Sequence, residues 1–303
     1  MLAILIALAS AAITGWGSVA QQRVASSVPL EAGGTLHLIG QLVQHPLWLI
    51  AFGANMVGFA THTWALDVGN LLVVEPVIST SLLFAFAFGA WWSHKGLPTT
   101  IWIASVFLVG GLATFLVVGD PSGTAGDATS LRWLLACMVM LPIVALVAWF
   151  AYRRTGPARA IGLGVASGIL FGAQASFTKA VTIDLHDGLL SELSNWKLYA
   201  VVVLGVMAFV LQQAAFQASA ITLSLPATVV LPPITAAFVA ILVLGGTVDI
   251  SGLRGVWIGL AVIAMIGGLV VIARAAARIE AANGAGGAGG STGTGPAPQA
   301  ISP

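Results

Sequence analysis

Long apolar runs separated by short polar segments make up most of this chain. Each run has about 20 residues, the length that an α-helix needs to cross about 30 Å of hydrocarbon. The pattern predicts nine spans: Met1–Ala20, Pro46–Leu66, Leu71–Trp91, Thr99–Val118, Leu131–Tyr152, Ala160–Val181, Leu198–Ala218, Leu225–Gly245 and Leu253–Ala273. Most tryptophans lie near predicted span ends, as in the aromatic belts of membrane proteins. We therefore expect an all-α membrane protein.

The composition agrees with this reading and excludes several classes of protein. Of 303 residues, 58% are hydrophobic and 7% are charged, whereas a soluble domain has about 25% charged residues. A soluble enzyme, a secreted disulfide domain and a disordered protein are excluded. The sequence contains no enzyme or nucleotide-binding motif and no basic cluster for nucleic acid. We expect a non-enzymatic protein of the plasma membrane, without a cofactor.

Basic residues are distributed unevenly between the loops. One set of loops, with the C-terminal segment, contains Arg23, Lys95, Arg153, Arg154, Arg159, Arg274 and Arg278. The opposite set contains only Arg132, Lys197 and Arg254. Because basic loops remain in the cytoplasm, the pattern predicts an N-terminus outside and a C-terminus inside.

Two segments outside the spans have patterns of their own. A short helix in the membrane interface is predicted within residues 23–45, where one helical face carries Leu36, Ile39, Leu42 and Val43. Residues 274–303 are rich in Gly, Ala, Ser, Thr and Pro. Such a segment cannot bury a core, so a disordered cytoplasmic tail is expected there.

The two halves of the chain match each other at a constant offset of 157 residues. The most informative pairs are Phe52/Phe209, Phe59/Phe216, Pro76/Pro233, Gly110/Gly267 and Gly111/Gly268. Each half contains four predicted spans, and the fifth span between them gives the halves opposite orientations. We expect two inverted four-helix repeats, 1–118 and 160–273, joined by a linking span and loops at 119–159. Inverted repeats are typical of secondary transporters, whose binding site lies near the bilayer midplane.

The segment from Trp48 to Pro121 resembles the drug/metabolite transporter superfamily (EamA-like proteins), and within it the NIPA-type magnesium transporters. The resemblance rests on WLIAFGANMVGFATHTWALDVGNLLVVEPVISTSLLFAFAFGAWW followed by LVGGLATFLVVGDP. A related pattern in the second half is LSLPATVVLPPITAAFVAILVLGG. The resemblance implies an inverted-repeat fold with nine spans, and either a metabolite carrier or a magnesium transporter.

Polar residues within the spans are candidates for a substrate site. Asn55 lies near the middle of the second span, and Gln212 is its equivalent at the repeat offset. Amides supply hydrogen-bond donors and acceptors for a polar solute, but they also hold membrane helices together. The remaining candidates for substrate binding are Gln213, Trp16 and Gln174.

Other residues could carry coupling or shape the site. Glu75 is the one carboxylate placed within a span, where it could bind a cation, carry a proton or pair with Lys179. His62 could transfer a proton. Helix breaks are predicted at Pro76, Pro226, Pro232 and Pro233, and breaks at matching places in two halves favour a binding site.

Three functions follow as the main alternatives, and lipid translocation, which needs a lateral opening between the halves, is a fourth. The first is a gradient-driven carrier of a small polar solute that works by alternating access. The second is a magnesium or divalent-cation transporter, with Glu75 as a metal ligand. The third is a non-transporting membrane scaffold of an envelope complex. The expected partners are a small molecule or cation and the lipid bilayer, and the pattern leaves a homodimer open.

Overall fold

The computed structural model describes residues 2–29, 34–68, 74, 77–94, 96–119, 129–184, 195–219, 221–244 and 252–289. Within these ranges the chain forms ten α-helices and no β-strand. They are α1 (Leu2–Ala25), α2 (Gly34–Leu42), α3 (Pro46–Val68), α4 (Ser81–Ser93), α5 (Thr99–Gly119), α6 (Ser130–Tyr152), α7 (Gly156–Asp184), α8 (Trp196–Ala218), α9 (Ile221–Leu244) and α10 (Leu253–Gly289).

Six helices are long and apolar enough to cross a membrane, namely α1, α5, α6, α7, α8 and α10. A seventh span is formed if α2 and α3 are counted together. Two described apolar stretches are shorter than a span: Val77–Ser93, which includes α4, and Leu223–Ala236, which lies within α9. The expected class is therefore confirmed as an all-α membrane protein, with six or seven candidate spans in the described part of the chain.

The helices pack in three main groups. Helix α1 packs against α3 and α4, α7 packs against α8 and α9, and α5 packs against α10. Helix α6 packs chiefly against α7 and leaves large apolar side chains such as Leu131 and Met138 exposed. An apolar surface of this kind is suited to lipid, because hydrocarbon offers no polar partner.

Helices α5 and α10 cross through two glycine contacts of the same form. A Cβ added at Gly111 would lie 2.8 Å from the carbonyl oxygen of Ala261, and one added at Gly268 would lie 2.7 Å from that of Ala104. Both glycines therefore bring the two backbones close together. A Cβ added at the neighbouring Gly110 or Gly267 would meet nothing within 4 Å, so only one glycine of each adjacent pair lies in the helix contact.

Helix α2 meets α3 at an angle of 90°. It is a short helix in the segment where an interfacial helix was expected. Leu38 and Leu42 are buried against the protein, whereas Leu36 is 85% exposed. The apolar residues thus divide between two faces, one packed on the protein and the other available to lipid, rather than sharing the single face that the pattern predicts.

Two further expectations differ from the structure. Helix α9 continues without interruption through Pro226, Pro232 and Pro233, although prolines there predicted a break. Close packing of neighbouring helices allows a spanning helix to tolerate proline, and a Cβ added at Gly172 of α7 would indeed lie 2.5 Å from the Pro232 carbonyl oxygen.

The last helix also extends beyond its predicted end. Helix α10 continues past Ala273 to Gly289, into the segment expected to be disordered. Residues 273–282, ARAAARIEAA, consist mainly of amino acids with high intrinsic helix propensity. This part of the segment can therefore form a helix without a packed core, whereas propensity does not explain the glycine-rich residues 283–289.

Candidate functional site

A chain of hydrogen bonds joins three helices near one end of the bundle. The indole Nε1 of Trp48 in α3 donates to Gln213 Oε1 in α8 at 3.0 Å. Gln213 Nε2 in turn donates to Gln21 Oε1 in α1 at 3.2 Å. Gln21 and Gln213 are 0% exposed and Trp48 is 3% exposed. Because polar groups inside a membrane protein are costly when unpaired, these bonds fix the relative positions of α1, α3 and α8.

An aromatic cluster holds the Trp48 indole in place. The ring stacks on Phe52 at a centroid distance of 5.5 Å and meets the edge of Phe209 at 5.9 Å. Phe52 and Phe209 also contact each other edge to face at 5.5 Å. These contacts restrict the rotation of Trp48, so its N–H points at Gln213 rather than at lipid.

Beside this series of hydrogen bonds, two buried polar atoms have no hydrogen-bond partner among the described residues. They are Gln21 Nε2, a donor, and Asn55 Oδ1, an acceptor. Asn55 lies against Gly17, where an added Cβ would overlap its side-chain oxygen. Gly17 and Gln21 are four residues apart in α1 and so share a face. We call Gln21, Trp48, Asn55 and Gln213 the polar cluster.

The polar cluster extends from one end of the bundle toward its middle. Trp48 lies two residues after the start of α3, and Gln21 and Gln213 lie within five residues of the ends of α1 and α8. Asn55 is nine residues into α3, about 14 Å along the axis at 1.5 Å per residue. Asn55 therefore lies near the middle of the 23-residue helix α3.

The second half contains a related contact between an amide and a glycine. A Cβ added at Gly205 of α8 would lie 2.6 Å from Nε2 of Gln174 in α7. Gly205 is nine residues into α8, as Asn55 is in α3. The roles are exchanged, because α3 supplies the amide in the first half whereas α8 supplies the glycine in the second.

The structure does not place Gln212 opposite Asn55 in the way that the constant offset predicts. Two serine hydroxyls show the difference: Ser10 donates to the Gly58 carbonyl, 48 residues away, and Ser167 to the Ala208 carbonyl, 41 residues away. The sequence separation of the two bonded residues is thus seven residues smaller in the second half. Gln212 is partly exposed and lies outside the polar cluster, whereas its neighbour Gln213 belongs to it.

The other predicted site residues fall in different places. Trp16 and His62 are partly buried, and His62 has an interaction of its own. Neither belongs to the polar cluster. Glu75 and Pro76 lie outside the described residues, as do the side chains of Pro233 and Lys179. Among the described residues, no group of three or more His, Cys, Asp or Glu could hold a metal ion.

Two residues of the polar cluster, Gln21 and Trp48, were missed by the sequence argument. Gln21 fell outside because the first span was ended at Ala20, whereas α1 continues to Ala25. Trp48 was assigned to the aromatic belt. The two consecutive glutamines at the end of the first apolar run could have indicated this site, because amides at a helix end in a membrane protein need hydrogen-bond partners.

Further polar contacts tie the same end of the bundle together. Gln22 Nε2 donates to the Ser219 carbonyl at 3.2 Å, and Gln217 Nε2 donates to the Val28 carbonyl at 3.1 Å. Both join the end of α1 to the end of α8. The ends of α1 and α8 on the side of the polar cluster are therefore joined by side-chain hydrogen bonds.

Comparison with known proteins identifies a relative of nearly the same length. The chain is 28% identical over 278 residues to an uncharacterized protein of Corynebacterium glutamicum, covering 90% of this chain and 95% of the relative. No family model matches the chain, and no solved structure matches it. The similarity extends along nearly the full length of both chains.

Proposed function

We propose that this protein is a gradient-driven secondary transporter of a small polar solute that works by alternating access. The observation that carries the proposal is the polar cluster, in which a buried donor, Gln21 Nε2, and a buried acceptor, Asn55 Oδ1, have no described partner. An unpaired polar group costs about 1–3 kcal/mol when buried. A solute that forms hydrogen bonds with both atoms removes that cost. Two unpaired buried groups are therefore expected in a protein that binds such a solute.

The helix arrangement supports an inverted repeat, as in carriers of this kind. The packing of α1 on α3 and α4 corresponds to the packing of α7 on α8 and α9. In the α5–α10 crossing, Gly111 faces Ala261 and Gly268 faces Ala104. At the offset of 157 residues, Gly268 is the equivalent of Gly111, and Ala261 is the equivalent of Ala104. Reciprocal contacts of this form arise from a two-fold axis. Because α5 and α10 run antiparallel at the crossing, the axis would lie in the membrane plane.

The proposed mechanism assigns two roles within the polar cluster. Asn55, near the midplane, binds the solute. The Gln21–Gln213 bond closes one end of the path, because it joins α1 of the first half to α8 of the second. Alternating access then consists of breaking this bond while the opposite end closes. In the orientation predicted from the basic loops, with the N-terminus outside, the closed end is the cytoplasmic one.

The chemistry of the cluster favours an uncharged solute. Its members are three amides and an indole, which offer hydrogen bonds but no charge. A solute with adjacent donor and acceptor groups, such as an amide or a small polyol, matches this set. The magnesium alternative depends on Glu75, and no described contact favours it. We propose a carrier of the drug/metabolite transporter type with nine spans, in the plasma membrane.

A thermal-shift screen of the detergent-purified protein tests this function. The probes are a panel of uncharged amides and polyols, together with Mg²⁺. A ligand at 100 times its Kd raises the free energy of unfolding by about 2.7 kcal/mol. We expect stabilisation by a neutral solute, its loss in Asn55→Leu and Gln21→Leu, and its retention in the control Gln212→Leu, a partly exposed amide beside Gln213 that lies outside the polar cluster.

The alternatives predict different results in the same screen. Stabilisation by Mg²⁺ that is lost in Glu75→Gln would support the cation transporter. Uptake of a stabilising solute into proteoliposomes would then separate a carrier from a scaffold. Full uptake by the Asn55→Leu, Gln21→Leu double variant would overturn the role proposed for the polar cluster.

A further inference from the structure

Two pairs of packing contacts have the same form in both halves of the chain, and they give the offsets at which the helices correspond. Ser10 of α1 donates to the Gly58 carbonyl of α3, as Ser167 of α7 donates to the Ala208 carbonyl of α8. Residues of α1 and α7 are therefore counterparts 157 positions apart, and residues of α3 and α8 are counterparts 150 positions apart. A second pair of contacts agrees with both offsets: Gly17 with Asn55, and Gln174 with Gly205.

Phe209 and Phe59 are counterparts at the α3–α8 offset, yet their surroundings differ. Phe209 meets Phe52 edge to face at 5.5 Å and is partly buried. The counterpart of Phe52 is Val202 of α8. Phe59 is 58% exposed and Val202 is 56% exposed, so these two side chains do not bury each other in this conformation.

The hydrogen bond between the two halves also has counterparts. Gln213 of α8 donates to Gln21 of α1, and the corresponding residues are Thr63 of α3 and Thr178 of α7. Both threonine hydroxyls donate to carbonyl groups four residues earlier in their own helices. The amides thus join α1 to α8, whereas the threonine hydroxyls stay within their own halves.

The helix packing has the same asymmetry. Helix α1 packs on α8, whereas α7 and α3, the corresponding pair, make at most marginal contact among the described residues. Two similar halves that meet at one end can exchange their conformations and meet at the other, which is how inverted repeats give alternating access.

We propose that a second closure forms at the end of the bundle opposite the polar cluster, where Phe59 packs on Val202 and the two threonines bring α3 to α7. It forms when the Gln21–Gln213 bond breaks, and the two closures exclude each other. This inference rests on the alternating access proposed above and names the residues that close the second end. Because the threonine hydroxyls already have acceptors, apolar contact is the main stabilising term of the second closure.

Cysteine cross-linking of the full-length protein in proteoliposomes tests the second closure. The background is Cys137→Ser, and the probe is a short bifunctional methanethiosulfonate reagent. The test pair is Phe59→Cys with Val202→Cys. The control pair is Phe59→Cys with Val203→Cys, because Val203 is also exposed, at 55%, but lies about 100° further around α8.

A pair at the other end reports the contact that the structure already contains. Phe52→Cys with Phe209→Cys replaces the two rings that meet there. Gln22→Cys with Ser219→Cys reports the same end without altering the aromatic cluster, since Gln22 Nε2 donates to the Ser219 carbonyl.

We expect the test pair to cross-link faster than the control pair. Gln21→Leu, which removes the bond to Gln213, should speed cross-linking of the test pair and slow it for both pairs at the polar cluster. The ratio of the rates should change about fivefold, which corresponds to about 1 kcal/mol for one hydrogen bond between membrane helices.

Equal rates for the test and control pairs would overturn the second closure. So would a Gln21→Leu variant in which both ends change in the same direction. Because cross-linking needs no solute, a screen in which no neutral solute stabilises the protein would count against the proposed function alone. Failure of the test pair in a protein that does bind a solute would count against the second closure alone.

Discussion

Gly17 leaves the space in α1 that the side chain of Asn55 in α3 occupies. A Cβ at Gly17 would overlap Asn55 Oδ1, and it would lie 3.1 Å from the carbonyl oxygen of Ala51. The position of the Asn55 amide in the middle of α3 therefore depends on the absence of a side chain on the neighbouring helix. This dependence can be measured directly.

We predict that Gly17→Ala destabilises the protein, because the new methyl group displaces Asn55, and that Asn55→Ala partly rescues it. The coupling free energy of such neighbours is about 0.5–3 kcal/mol. A double-mutant cycle on thermal unfolding in detergent measures it. The control is Gly53→Ala, since Gly53 meets nothing within 4 Å. Additive effects of Gly17→Ala and Asn55→Ala would contradict the contact.

The α5–α10 crossing gives a second prediction, in which adjacent glycines respond in opposite directions. Gly111→Ala and Gly268→Ala should destabilise by about 1–3 kcal/mol, because each methyl group would press on the facing backbone. Gly110→Ala and Gly267→Ala should be neutral or stabilising by up to about 1 kcal/mol through helix propensity. Unfolding of the four variants in one detergent tests the pattern, which fails if the two pairs shift alike.

The Trp48–Gln213 bond gives a third prediction. Trp48→Phe keeps an aromatic ring beside Phe52 and Phe209 but removes the donor to Gln213. A hydrogen bond between membrane helices contributes about 1 kcal/mol, so we expect a loss of that order in the free energy of unfolding. Trp257→Phe is the control, since Trp257 is 51% exposed. Equal losses in both variants would show that the indole N–H is not the cause.

The orientation gives a fourth prediction, which single cysteines can check. In a Cys137→Ser background, Ser26→Cys and Thr155→Cys should react with an impermeant maleimide only after the cells are opened. Arg254→Cys should react in intact cells, because the predicted topology places it outside. Reaction of all three from the same side would contradict both the orientation and the inverted arrangement of the halves.

The apolar pattern predicted the class of fold because membrane helices must be apolar over a fixed length. That rule identifies α6 and α8 from their own residues alone. It does not specify how helices end, so α1 was predicted to stop before Gln21. Nor does it assign pairs across the chain: the Gln21–Gln213 bond joins residues 192 positions apart.

Pattern matching could not determine the register between the two halves, for a geometric reason. The Ser10 and Ser167 contacts differ by seven residues, and seven residues are almost two turns of an α-helix. Such a shift returns each side chain to nearly the same face. Apolar periodicity is therefore unchanged, and a constant offset pairs Asn55 with Gln212 although the structure places Gly205 at the matching depth.

Because α2 meets α3 at a right angle, the thickness of the surrounding bilayer affects the geometry of the polar cluster. A spanning helix adjusts to a thinner or thicker bilayer by tilting, but α2 is held by buried Leu38 and Leu42. Any tilt of α3 must then be absorbed at the corner, two residues before Trp48. Lipids with shorter or longer acyl chains should consequently strain the Trp48–Gln213 hydrogen bond, even when no ligand is bound.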